Sequence, residues 1–482
     1  MSLRRTAARG ATWTGASTVS TTALQLIQLA ALAHLLPREA FGLLSMVMIV
    51  LGFSQPFADM GMSNAIIQRQ EATKSQLSTL YWLNIFAGVL VYAILLFTIP
   101  LITRFFKEPR LAEILQIAIC TYLIIPIGQQ FRILLQKELR FRTLAMVEMA
   151  STVVGTVVTL VAAILGYGVV SIIYGQLVNV SLKSLLFCKI GWRTWRPQLC
   201  FRPKELDGFV SFGLFQMGER SINYLAANLD YVFIGRFLGA EALGIYSIAY
   251  QLIILPLQKF NPILTRVAFP VFAMKQNDDV ALRRGYMELT KILLMVVLPC
   301  LVGLAVVAPT AIPVVLGTKW QASIAVTQIL VMVGIIKALT NPVGSIWLAK
   351  GRADLGFKWN VFVVTANALV FWLSVKSGIL AVAWAYVFVS AIHFVLICIL
   401  LKRMIDLDLR HYSHVFKKPI CATIAMVFVV QLVYLVTQTV AGPNVWELTA
   451  LVVSGAAAYV FVLFNIEREF IGSLFMSMRA KG

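Results

Sequence analysis

Four residues of this sequence stand where lipid solvates none of them. Glu219, Arg220, Asn223 and Asp230 fall within one otherwise apolar stretch, roughly 209–235. Steps of four and seven put Glu219, Asn223 and Asp230 on one helical face, with Arg220 one step round. An ionised side chain at the centre of a spanning helix costs about 2.5–3.5 kcal/mol on insertion scales. Such a face must therefore meet protein or water. The chemistry it offers is anion binding, because a guanidinium fork pairs bidentately with phosphate or carboxylate. A carboxylate beside it can carry a proton or a sodium ion. Glu219 and Arg220 are adjacent, so they make no i,i+4 pair and each is free to face its own partner.

A second stripe lies near the start, in roughly 12–35, where Thr14, Thr18, Thr21, Gln25 and Gln28 recur at steps of 4, 3, 4 and 3. Lys337 stands inside a third apolar stretch, roughly 322–349, one turn before Thr340-Asn341-Pro342. Two readings fit the hydroxyls and amides: hydrogen-bonded glue between helices, or the lining of a hydrated cavity. For the ionisable groups the cavity is the better fit, since packing does not need three of them on one helix. The candidate substrate-cavity residues are Arg220, Glu219, Asn223, Asp230, Thr18, Thr21, Gln25, Gln28 and Lys337. Gln129, Gln130 and Arg132 close another stretch and fit an inner vestibule, whereas Asp59 reads as a charge at a span's end.

No set of residues for bond chemistry accompanies these stripes. The six cysteines are scattered without paired spacing, and His411 and His414 lack further ligands nearby. His393 is a lone histidine in an apolar stretch and reads as a hydrogen-bonded core residue. No glycine-rich phosphate loop or nucleophile elbow is present. No catalytic residue, metal site or cofactor is expected.

The elements that hold these stripes follow from composition. Of 482 residues, 60% are hydrophobic and 13% charged, with a mean hydropathy of +0.84; soluble proteins are roughly 25% charged. This excludes an ordinary soluble enzyme, a disordered chain and a disulfide scaffold, and leaves an integral membrane protein. Fourteen stretches are long enough to span, at about 20 apolar residues each. They are leucine-rich and do not alternate, which argues against a transmembrane β-barrel. The first has threonine and serine through its core, unlike the clean apolar run of a signal peptide, and is expected to be retained. The net charge of +20 would suggest nucleic acid in a soluble protein. Here the basic residues sit between apolar runs, facing anionic lipid, and no nucleic-acid partner is expected. With the N-terminus cytoplasmic, about 32 of the 41 Lys and Arg fall in inside segments. Both termini are therefore expected in the cytoplasm.

The chain also repeats itself. Leu36-Pro37-Arg38-Glu39-Ala40-Phe41-Gly42-Leu43-Leu44-Ser45 returns as Leu238-Gly239-Ala240-Glu241-Ala242-Leu243-Gly244-Ile245-Tyr246-Ser247, an offset of 202 with identity at five of ten positions. Six spans separate the copies, so they share one orientation and should be related by an axis along the membrane normal. The expected architecture is all-α: a first six-helix bundle over 1–208, a second over 209–413 repeating it, and two last spans with a tail over 414–482. The offset also lays Thr21 on Asn223 and Gln28 on Asp230.

Phe41-Gly42-Leu43-Leu44-Ser45, continued by Phe57-Ala58-Asp59-Met60-Gly61-Met62-Ser63-Asn64-Ala65-Ile66-Ile67-Gln68-Arg69-Gln70, resembles the polysaccharide transport (Wzx-type) branch of the multidrug/oligosaccharidyl-lipid/polysaccharide (MOP) flippase superfamily. Within that branch it is similar to the colanic acid and teichuronic acid exporters of bacteria. The resemblance is densest over residues 1–75 and implies the MOP flippase fold with about 14 transmembrane helices in a bacterial inner membrane. It implies movement of an undecaprenyl-pyrophosphate-linked oligosaccharide between leaflets by alternating access, among membrane lipids. It leaves open proton coupling, sodium coupling or passage down the lipid gradient. It also implies a polysaccharide polymerase and export machinery as partners. Rival functions stay open: a drug or metabolite antiporter of the same superfamily, a lipid-linked peptidoglycan precursor flippase, a membrane-embedded polymerase or acyltransferase with His393 as its one intramembrane histidine, and an assembly or scaffold subunit, which would not need the ionisable stripe.

Overall fold

The computed structural model describes residues 3–60, 73–202, 209–437 and 444–468. Expectations placed on other residues, and on the side chains of His411 and His414, lie outside the described residues. Sixteen α-helices and two short 3₁₀ turns make up most of what is described, and no strand occurs among those residues. Thirteen helical segments among them are long and apolar enough to cross a membrane. The fourteenth expected span is a helix of 29 residues, Phe209–Phe237. It is too polar to count with the thirteen, because it carries the charged stripe.

The chain forms two compact units, Met1–Gly244 and Ile245–Gly482. The first holds α1 (Leu3–Leu35), α2 (Arg38–Asp59), α3 (Lys74–Phe106), α4 (Leu111–Ala118), α5 (Thr121–Lys137), α6 (Phe141–Ile164), α7 (Val170–Gly191), α8 (Phe209–Phe237) and the first turn of α9 (Gly239–Met274). Their neighbours run α1 on α6, α6 on α7, α7 on α5, α5 on α3, α3 on α2, and α2 on α8. Between membrane helices there is little hydrophobic drive, so close backbone approach carries the packing. A Cβ on Gly155 of α6 would lie 2.8 Å from the Gly175 carbonyl oxygen of α7, and one on Gly175 would lie 1.7 Å from Thr159 Oγ1.

Helix ends follow local chemistry. Thr73 and Gln76 form a reciprocal capping box at the start of α3. At that end Tyr81 meets Phe131 and Trp195 edge-on, and those two rings meet at a tilt, in an aromatic core. The segment after α7 is tied down there: Gln198 N–H donates to Ser78 Oγ (3.0 Å), Arg202 N–H to Thr79 Oγ1 (3.2 Å), and Trp82 Nε1 to the Gln198 carbonyl (2.8 Å).

The repeated segments touch each other within the first unit, and they do so reciprocally. A Cβ on Gly42 would sit 1.8 Å from the Ala240 carbonyl oxygen, and one on Gly244 would sit 2.0 Å from that of Arg38. At the offset of 202, residue 240 is the counterpart of 38 and 244 that of 42. This is the i-to-j, j-to-i pattern of a two-fold joint. Both sites require glycine, because the facing backbone leaves no room for a side chain. Arg38 Nη1 pairs with Glu241 at 3.0 Å across the same joint, and Glu39 pairs with Arg110 at 2.7 Å.

The second unit holds the remainder of α9, then α10 (Asp279–Val315), α11 (Ala322–Thr340), α12 (Val343–Ala349), α13 (Ala353–Ser374), α14 (Ile379–Ile405), α15 (Leu409–Thr437) and α16 (Val445–Ile466). Helix α10 is its hub and packs on α11, α14, α15 and α16. Tyr286 and Tyr412 join α10 to α15 through their hydroxyls at 2.8 Å, in a core closed by Trp347, Leu401 and Ile405. The last two helices are fastened to α10 at both ends. Tyr459 donates to the Met295 carbonyl (2.7 Å), and buried Glu467 meets Lys291 at 2.7 Å and Lys418 at 3.3 Å. Thr310 reaches Glu447 at 3.5 Å at the opposite end. His393 is buried against the rings of Trp359 and Phe362 at 5.7 and 5.6 Å, and its Nε2 has no hydrogen-bond partner. The expected hydrogen bond is replaced by edge contact with aromatics.

Candidate functional site

The charged site forms where α2 ends. Pro56 removes one helical N–H, and Met60 turns left-handed (φ 47°) with its N–H on the Pro56 carbonyl at 3.0 Å. Asp59 is thus the last helical residue, with 8% of its side chain exposed. A carboxylate at a helix C-terminus opposes the helix dipole, so it needs donors. Gln129 of α5 supplies one, from Nε2 to Oδ1. Arg220 of α8 supplies another, Nη1 to Oδ2 at 3.2 Å. The sequence marked Arg220 but treated its partner only as a terminal charge. Nothing in local spacing links positions 161 residues apart.

Among the described residues the guanidinium pairs with Asp59 alone, and its side chain is 41% exposed. Glu219 beside it is exposed and has no partner among the described residues. Asn223, one turn on, is half-buried, and Asp230 is buried at 1%. Between them α8 kinks at Asn228 (φ −127°, ψ 15°). The Asn228 amide covers the Tyr224 carbonyl at 2.8 Å, and the Tyr224 hydroxyl donates to the Met48 carbonyl at 2.8 Å.

Arg220 pairs with the last residue of α2, whose first residue, Arg38, pairs with Glu241. At 1.5 Å per residue the 22 residues of α2 separate the two ion pairs by about 32 Å along the helix.

The other marked residues do not gather around it. Thr18 and Gln25 of α1 are exposed, and Thr21 and Gln28 half-buried. The hydroxyls of Thr18 and Thr21 donate to carbonyls four residues back, at 2.8 and 2.7 Å, and Gln28 accepts from Thr156 of α6 at 2.8 Å. Lys337 lies in the second unit. Its ammonium donates to Tyr250 Oη at 2.5 Å and stands 5.0 Å from the centres of the Tyr250 and Tyr386 rings. Cation–π attraction compensates its loss of water. No group of three His, Cys, Asp or Glu among the described residues is placed to hold a metal.

Comparison with known proteins gives the family. It is 39% identical to the teichuronic acid biosynthesis protein TuaB of Bacillus subtilis (strain 168) over 94% of both chains. It is 37% identical to the lipopolysaccharide biosynthesis protein WzxC of Escherichia coli (strain K12), over 75% of this chain and 74% of that one. A solved structure of the lipid II flippase MurJ, in an inward closed conformation, superposes with a TM-score of 0.75 at 14% identity. The alignment covers 94% of this chain and 99% of that one, which establishes a shared fold. Residues 31–325 match the family described as polysaccharide biosynthesis protein. A multi-pass membrane chain that is 39% identical to TuaB over 94% of both chains, and whose residues 31–325 match this family, belongs to the polysaccharide biosynthesis protein family.

Proposed function

We propose that this protein flips an undecaprenyl-pyrophosphate-linked oligosaccharide from the cytoplasmic to the periplasmic leaflet of a bacterial inner membrane, by alternating access and with both termini in the cytoplasm. The observation that carries the proposal is Arg220, a guanidinium paired with Asp59 and 41% exposed. Moving a pyrophosphate through hydrocarbon without compensation is prohibitive. A fixed Arg fork beside the end of α2 supplies charge-assisted donors for the headgroup. The prenyl chain needs no such help. The names of the B. subtilis and E. coli relatives, and the MurJ fold, support a lipid-linked precursor as cargo. The work is translocation, so the residues are asked to bind and release, not to break a bond. Asp59 and Glu219 are the carboxylates placed to take a coupling proton or sodium ion.

Purified protein in proteoliposomes should move a fluorescent polyprenyl-pyrophosphate-linked oligosaccharide across the bilayer. A deletion strain should accumulate the lipid-linked precursor on the cytoplasmic side. Normal export in the deletion strain, with no translocation in vesicles, would refute the assignment.

A further inference from the structure

Beside the charged site, α2, α3 and α8 enclose a slot of about 480 Å³ within the first unit. That volume falls in the 300–1,000 Å³ range of small-ligand pockets. Its walls include Phe53 and Phe57 of α2, Ile94 and Ile102 of α3, and Leu225 and Val232 of α8. Four polar side chains also line it, and each is already engaged. Ser54 donates to the Val50 carbonyl (2.9 Å), Thr98 to Ile94 (2.9 Å), Tyr224 to Met48 (2.8 Å), and Asn228 to Tyr224 (2.8 Å). Their donors are spent on backbone, so the slot offers little to a sugar and suits a hydrocarbon.

The slot ends near a charged pair. Tyr224 and Asn228, which line it, follow Arg220 at four-residue steps on the same face of α8, so Arg220, paired with Asp59 and 41% exposed, stands one helical turn beyond the lining. Along α3 the lining runs from Val91 to Phe106, about 22 Å of helix. The slot is single, long and apolar, with a guanidinium one turn past its end. We infer that it seats the first part of the substrate's polyprenyl chain, with the pyrophosphate against Arg220. A phospholipid has two chains and fits this single slot less well. The inference rests on the flippase function proposed above and adds the place where the lipid part is gripped.

The test uses the full-length protein in nanodiscs and a polyprenyl pyrophosphate bearing a diazirine in its chain. Irradiation should give adducts on α2, α3 and α8. An excess of unlabelled polyprenyl pyrophosphate should compete them away, and an equal excess of phosphatidylglycerol should not. Thr98→Trp, which fills the slot, and Ile94→Trp, at its rim, should each lower labelling about tenfold, the worth of roughly two buried methylenes. Thr98→Val should label as the wild type does. Equal labelling by a diazirine phosphatidylglycerol would overturn the inference, as would adducts confined to other helices. If the wild type translocates substrate and both Trp variants fold, translocate and label normally, the slot is excluded while the flippase function stands. If the wild type translocates nothing, both fall.

Discussion

Replacing Arg220 with alanine separates what the ion pair does for the fold from what the arginine does for cargo. Removing one partner of a fully buried pair costs about 3–5 kcal/mol, and a surface pair is worth about 0–1 kcal/mol. Asp59 is 8% exposed and Arg220 41%, which places this pair between those limits. Arg220→Ala should therefore destabilise the protein by about 2 kcal/mol, roughly 30-fold in the folding ratio. Asp59→Asn should cost less, because its amide still accepts from Gln129 and the freed guanidinium can reach water. The double variant should cost about as much as Asp59→Asn alone, a coupling of about 1–2 kcal/mol. Equilibrium unfolding of the four proteins in mixed micelles measures it. Vesicle translocation read on the same set gives the functional answer. Stability should return in the double variant, and translocation should not. Arg220→Lys should keep part of the translocation, since charge survives without the fork. Single-variant costs that add within about 0.5 kcal/mol would refute the ion pair. Full translocation by the double variant would remove Arg220 from the substrate path.

Three further predictions follow from other parts of the chain. Gly42→Val and Gly244→Val should each sharply lower the yield of monodisperse protein on size exclusion, because a Cβ would meet backbone at 1.8 and 2.0 Å; such overpacking costs at least about 1–3 kcal/mol. Glu467→Gln should loosen α15 and α16 by about 1–2 kcal/mol, since Lys291 and Lys418 lose a carboxylate that is 3% exposed; faster hydrogen exchange confined to those helices would show it. For topology, a single cysteine at position 319 should label from the periplasm and one at position 410 should not, with the reverse pattern overturning the orientation.

How much of this was legible in the sequence differs by kind of contact. The helical membrane fold is, because apolar runs of spanning length need no tertiary information. That α8 carries ionisable residues is also written in the sequence, but the kink at Asn228, between Asn223 and Asp230, is not. The Asp59–Arg220 pair is not: α2 and α8 are distant in sequence, and an acid near a span's end reads the same whether paired or solvated. The threonine stripe on α1 is ambiguous by nature, since hydroxyls that bond to their own helix carbonyls satisfy themselves without any cavity. The slot beside α8 left no sequence trace, as its lining is ordinary apolar surface on three separate helices.

The glycine joint has a consequence for how its charges are distributed. A perfect two-fold contact would hold two identical salt bridges, Arg38 with Glu241 and, by exchange, residue 240 with Glu39. This chain has only the first, because residue 240 is alanine. Glu39, left without its symmetric arginine, is taken instead by Arg110 at 2.7 Å, from a segment for which the matched decapeptide has no counterpart. Backbone fit at the joint is symmetric while its ion pairs are not. The steric requirement binds both segments at once, since each glycine accommodates the other segment's backbone. A charge can be paired from elsewhere in the chain, so the joint's geometry and its electrostatics need not share one symmetry.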